Sequence, residues 1–117
     1  MKILLLFICL VVSLLSCKHD VMVPDSPVMS FQTDVQPIIV GNCTESGCHA
    51  SSGGEFPLVS YNDVSGHLTA GDARGSELYK SITGKGAQLM PPGSRPLLTN
   101  DAIRVIYVWI EQGAKNN

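Results

Sequence analysis

Aromatic side chains are scarce in this 117-residue chain: three Phe, three Tyr and a single Trp make up 6% of it. Charged residues are few as well, at 15%, and their balance of −2 leaves no basic excess. The first shortage denies a chain of one-domain length the large side chains that fill a core unaided. Gly and Pro, 18 together, work against long regular elements, so a disulfide, a metal or a cofactor is expected to help. The second shortage excludes the electrostatic footprint of a nucleic-acid binder. No carboxylate dyad and no nucleophile–base pair presents itself, which removes the usual hydrolytic machinery. No segment alternates strongly enough to predict a sheet. No apolar run reaches the ~20 residues of a membrane-spanning helix.

The longest apolar run, residues 3–15, is broken only by Ser13 and follows the basic start Met1-Lys2. Its thirteen residues suit the h-region of a secretory signal. It ends in Leu14-Leu15-Ser16-Cys17, which resembles the lipobox of bacterial lipoproteins. In that family the signal is cut ahead of the cysteine, whose sulfur takes a diacylglyceryl group and whose new amino terminus is acylated. The resemblance implies a signal peptide over 1–16, lipidation at Cys17 and a bacterial cell-envelope location, with the domain facing the periplasm or the cell surface. Several acyl chains anchor stably where one binds marginally. Cleavage elsewhere would leave Cys17 a free or paired thiol instead. Loss of Lys2 with the signal takes the mature charge to −3, too small to name a charged partner. Residues 17–30 then form the lipidated anchor and a flexible tether. Its Lys18–Ser30 part has two prolines and no helical or alternating pattern, and reaches at most about 45 Å. His19, Met22 and Met29 fall in the tether and are set aside as ligands.

Residues 31–117 read as one all-α domain. Thr33 with Gln36 has the capping-box spacing, Asp34 suits the positive end of a helix dipole, and Pro37 is tolerated only near a helix start. The first helix is therefore predicted from about Asp34 to Val40 or slightly beyond, with Gly41 able to end it. The clearest helix lies at the other end, with Thr99 as N-cap, Asp101 in its first turn and Gly113 to close it. Ala102, Ile103, Ile106, Trp109 and Ile110 recur on it at spacings of three and four, with Tyr107 at the border of the stripe. Two short helices are predicted between, one starting near Ser60 and one over about 76–82. "GKGAQLMPPGSRP" has no periodicity and reads as loop.

With Cys9 lost in the signal and Cys17 lipidated, the remaining thiols are Cys43 and Cys48, with His49 directly after the second. Three chemistries compete for them. A disulfide is compatible with an oxidising compartment, but it would close a very small loop and leave His49 unexplained. Zinc needs four ligands, and His67 could be the fourth; adjacent Cys48 and His49 do not easily converge on one small ion. A c-type haem uses the adjacency: two thiols bond to the porphyrin rim while the next histidine binds the iron beneath it. The spacing here, Cys-x4-Cys-His, is longer than the standard Cys-x2-Cys-His, and Ser46-Gly47 supplies flexibility for the longer arc.

A helix running into Cys-x4-Cys-His, a "MPP" loop and a last helix ending "WIEQGAKNN" resemble a mono-haem class I cytochrome c domain, in the compact form found on lipoproteins of Bacteroidetes and Planctomycetes. The resemblance covers Phe31 onward. It implies a small cytochrome c-like fold with its terminal helices packed against one covalently bound haem c, and Met90 as the axial ligand opposite His49. A thioether is a soft ligand suited to haem iron, and Pro91-Pro92 stiffen the loop after Met90. His67 is an alternative second ligand, though its polar, Gly-flanked surroundings read as those of an exposed or hydrogen-bonded histidine. Arg74 and Arg95 are candidate partners of the haem propionates.

The expected function is membrane-tethered electron transfer, with the two axial positions filled and hence no enzyme activity of its own. Its redox partners are not named by the sequence. A haem-based ligand-binding or sensor lipoprotein, and a haem-free structural lipoprotein with a zinc site or disulfide, are the alternatives.

Overall fold

The computed structural model describes residues 22–52 and 54–117. The apolar run, Cys9, Cys17 and the start of the tether lie outside the described residues. All regular elements among the described residues are helices, accompanied by one isolated antiparallel bridge between Thr69 and Asp72. That agrees with the all-α expectation.

The first helix begins earlier than predicted. A π-wound turn, Phe31–Val35, leads into α1, Gln36–Cys43. The cap is Ser30, not Thr33: the Ser30 hydroxyl accepts from Thr33 N (3.3 Å), and Ser30 N donates to Asp34 Oδ2 at 2.7 Å. In the π turn Val35 N reaches back five residues to Ser30 O (3.2 Å), and Gln36 N to Phe31 O. This wider winding sits just ahead of Pro37, which has no N–H and whose ring would clash with the Thr33 carbonyl in a regular α-turn. Gln36 is not available to close a capping box, because its side chain donates to Val59 O (2.9 Å). Nor does Gly41 end the helix. Asn42 Nδ2 and Thr44 Oγ1 donate to the carbonyls of Ile38 and Val40, satisfying last-turn acceptors and carrying the helix to Cys43.

Three further helices follow: α2 (Tyr61–Ser65), α3 (Glu77–Thr83) and α4 (Asn100–Glu111). Ser60 and Asp63 form a complete capping box at α2. Ser76 precedes α3, but its buried hydroxyl ties down the preceding loop, accepting from Thr69 N and donating to Asp72 O. Gly84, at φ 66°, closes α3 in the left-handed conformation. Thr99 caps α4, accepting from Ala102 N at 3.2 Å. Gly113, at φ 100°, terminates it, with Gly113 N bonded to Ile110 O and Ala114 N to Trp109 O. The 84–96 stretch is loop, as predicted.

The core is built on the α4 stripe. Ile106, Trp109 and Ile110 are fully buried against Phe31, Val35 and Ile39 of the first helix and against Leu78 and Ile82 of α3. Phe31 lies 5.5 Å from the Trp109 ring and meets Tyr61 edge-on at 5.2 Å. The polar ends of the aromatic cluster are satisfied by the C-terminal segment: Trp109 Nε1 donates to Lys115 O (3.0 Å) and the Tyr61 hydroxyl to Ala114 O (2.9 Å). Asn117 in turn covers donors at the start of the first helix, taking Gln32 N on its main-chain oxygen and Phe31 N on Oδ1. Residues 22–30 have no regular structure and lie against the end of α4. There the Gln112 carboxamide donates to the carbonyls of Pro24 and Pro27 and accepts from Met29 N.

Candidate functional site

The last residue of α1 is Cys43, so the helix delivers a thiol directly to the loop that follows. That loop folds back on itself. Cys48 N donates to Glu45 O (2.9 Å) and His49 N to Cys43 O (3.0 Å), with Gly47 at φ 82° making the reversal. A side chain at residue 47 would be strained in that conformation. The four-residue spacer therefore closes into a turn that brings Cys48 and His49 back beside the end of α1. Both thiols are free and half-buried. Burial, with the nearby Cys48 adding to it, pushes the Cys43 thiol up to about 11.

His49 is oriented by the main chain. Its Nδ1 lies 2.8 Å from Phe56 O. A carbonyl can only accept, so Nδ1 is the donor, and in the neutral ring Nε2 is the nitrogen left for a metal. Leu58 N closes the same stretch by donating to His49 O (2.9 Å). Met90 comes from the long loop after α3, with Met90 N held on Ser81 O at 2.9 Å and the Met90–Pro91 peptide cis.

These residues meet at one cavity of about 460 Å³, within the ~300–1,000 Å³ common for ligand and cofactor sites. Cys43, Cys48, His49 and Met90 all line it. Its apolar lining includes the buried side chains of Leu58, Leu78 and Ile82. Arg95, on its lining, forms an exposed ion pair with Glu45 (3.4 Å), linking the Met90 loop to the cysteine loop. An exposed pair of this kind adds little stability. The donors on this lining are of the type that a planar apolar cofactor held by two thioethers, an imidazole and a thioether sulfur would need.

Of the two arginines considered as propionate partners, Arg95 lines the cavity. Arg74 is not on its lining. Burial raises the Tyr107 phenol above its ordinary value, helped by Glu111 and opposed by Arg74. His67 also lines the cavity; its Nδ1 lies 3.1 Å from Glu77 Oε2, and its ring stacks on Phe56 at 4.2 Å. Among the described residues no group of three or more His, Cys, Asp or Glu side chains is arranged to hold a metal ion, so the zinc set of Cys43, Cys48, His49 and His67 is not assembled.

Phe56 and Glu77 were not legible as site residues. A carbonyl oxygen belongs to every residue, so nothing in the sequence singles out Phe56 O as the partner of His49. An aromatic seven positions after the histidine was the one available signal. Comparison with family models, curated proteins and solved structures finds no significant match for the chain.

Proposed function

We propose that this protein is an electron carrier holding one covalently bound c-type haem, attached through Cys43 and Cys48, with His49 and Met90 as the axial ligands of its iron. The observation that carries the reading is the joint lining of one apolar-floored cavity by Cys43, Cys48, His49 and Met90, although the last stands more than forty positions from the others. The group would supply an iron that takes up and gives back one electron. The chain's part is to hold it by its edge, to orient His49 through the Phe56 carbonyl, and to exclude water with Leu58, Leu78 and Ile82.

Met90 is the better candidate for the second ligand. Phe56 lies between His49 and His67, its ring tilted against the first at 4.6 Å and stacked on the second at 4.2 Å. A porphyrin could stand between those two imidazoles only if that stack were broken. With both axial positions occupied, no coordination site is left for a substrate, which is why the protein is assigned as a carrier and not an enzyme. Lipidation at Cys17 would tether it to an envelope membrane, with the partner a redox protein on the same side.

The test is a visible spectrum of the mature chain produced with c-type haem maturation machinery, oxidised and then reduced with dithionite. Haem that survives acid-acetone extraction, with a weak far-red ferric band from a methionine–iron bond, is expected. Met90→Ala is expected to lose that band and to gain rapid binding of carbon monoxide or cyanide. Absence of bound haem, under conditions that mature a control cytochrome, would refute the proposal.

A further inference from the structure

Beside the four residues assigned to the haem, the cavity holds an aromatic stack that the electron-carrier reading leaves without a role. The rings of His49 and Phe56 are 4.6 Å apart, those of Phe56 and His67 are 4.2 Å apart and inclined at only 23°, and His67 Nδ1 lies 3.1 Å from Glu77 Oε2. Phe56 is 47% exposed, too open for burial alone to fix its ring. Residues 56–58 have no regular structure, so no helical ladder fixes the orientation of the Phe56 carbonyl either. His67, by contrast, is held to α3 twice: its side chain to Glu77, and its main-chain carbonyl by Leu78 N at 2.9 Å. Glu77 and Leu78 are the first two residues of that helix.

We propose that His67, clamped to the first turn of α3, is a positioning residue for His49. It fixes the Phe56 ring, and through it the carbonyl that keeps the proton on His49 Nδ1. The proposal rests on the reading that His49 Nε2 binds haem iron. A hydrogen bond at the far nitrogen raises the basicity of an imidazole ligand and fixes its ring. A more basic ligand favours the ferric state, so loosening the Phe56 carbonyl raises the midpoint potential. His67 thereby acts on the iron's potential from the side of His49, without coordinating it.

The experiment uses the full haem-loaded chain and three variants: His67→Ala, His67→Phe and Glu77→Gln. Exchange of the His49 Nδ1 proton with deuterated water is followed by NMR in the reduced state, and midpoint potentials are measured alongside. His67→Ala is expected to speed exchange by about tenfold, as for loss of one net hydrogen bond, and to raise the potential. His67→Phe keeps a stacking ring but loses the bond to Glu77, and is expected to restore both in part, to about the level of Glu77→Gln. A residue that only stabilised the fold would change the melting temperature and could speed exchange through opening, but would leave the midpoint potential unmoved. Parent-like exchange and potential in His67→Ala overturns the proposal, as does a His67→Phe variant as perturbed as His67→Ala. Where His67→Ala fails to accumulate, Glu77→Gln decides: a smaller change in the same direction supports the proposal, and no change overturns it. A parent chain that takes up no haem refutes the electron-carrier reading separately. The nitrogen-15 shifts of His49 in that chain then decide whether His67 positions it: an Nδ1-protonated ring that depends on residue 67 supports the proposal, and any other pattern overturns it.

Discussion

Replacing Trp109 with alanine tests the packing that brings the two ends of the chain together. The side chain is fully buried, touches Phe31 at 5.5 Å and Tyr61 edge-on at 6.4 Å, and donates its indole N–H to Lys115 O at 3.0 Å. Truncation of a fully buried Trp costs about 3–5 kcal/mol. Each aromatic contact contributes about 0.5–1.5 kcal/mol of that, and the hydrogen bond about 1 kcal/mol. Trp109→Phe keeps a ring against Phe31 and Tyr61 but strands the Lys115 carbonyl and leaves a smaller void, for an expected loss of about 1–2 kcal/mol. Leu97→Ala, at a side chain 52% exposed, is the control, expected to move stability by under about 0.5 kcal/mol. Urea unfolding of the chain, followed by circular dichroism, measures all three, and unchanged slopes license the comparison of midpoints. A Trp109→Ala cost below about 1 kcal/mol would refute the reasoning, and so would a Trp109→Phe cost equal to it.

Two further outcomes follow from the ionisable groups. Asp63 accepts from the Ser60 hydroxyl, Ser60 N and Val59 N, and these bonds, the hydroxyl's first, hold its carboxyl below the ordinary 3.8. The folded state therefore binds fewer protons there than the unfolded chain, so this stabilisation is complete above the ordinary value and is lost as pH falls through the folded one. Melting temperatures taken from about pH 6 down to about pH 2 are expected to fall less steeply in Asp63→Asn than in the parent; parallel curves would contradict the assignment. With its thiol pushed up to about 11 from 9.0, Cys43 in the haem-free chain carries about a hundredfold less thiolate at neutral pH than an ordinary cysteine. Iodoacetamide labelling read by peptide mass spectrometry should show it slowed accordingly and released by denaturant, whereas equal rates in the folded and denatured chain would contradict its burial.

The last helix was legible because each of its signals is local: a Thr99 cap, a stripe at spacings of three and four, and Gly113 beyond the end. Val108 is also buried, although it falls outside that stripe, because neighbouring segments cover more than one face of α4. The first helix departs from expectation at both ends, and at its start the reasons are non-local. Gln36 is drawn away by Val59 O, 23 residues downstream, and Asn117, from the other end of the chain, covers N–H groups there. Cys43, Cys48 and His49 stood out by spacing and Met90 through the family resemblance, and all four line one cavity. The Phe56 carbonyl and the platform of His67 on Glu77 could not, because they depend on how a loop lies across a helix start.

The clasp formed by Gln112 governs the direction from which the chain arrives. By binding Pro24, Pro27 and Met29 at the end of α4, it brings the polypeptide in beside Phe31, while the cysteine loop leaves from Cys43. The helical stretch between those two residues is roughly 18 Å long at 1.5 Å per residue. The clasped segment therefore enters the body beside Phe31, one helical stretch away from Cys43 on the lining of the cavity. The seven-residue stretch from Pro24 to Ser30 is in this way held to the helical body by one side chain, through Pro24, Pro27 and Met29.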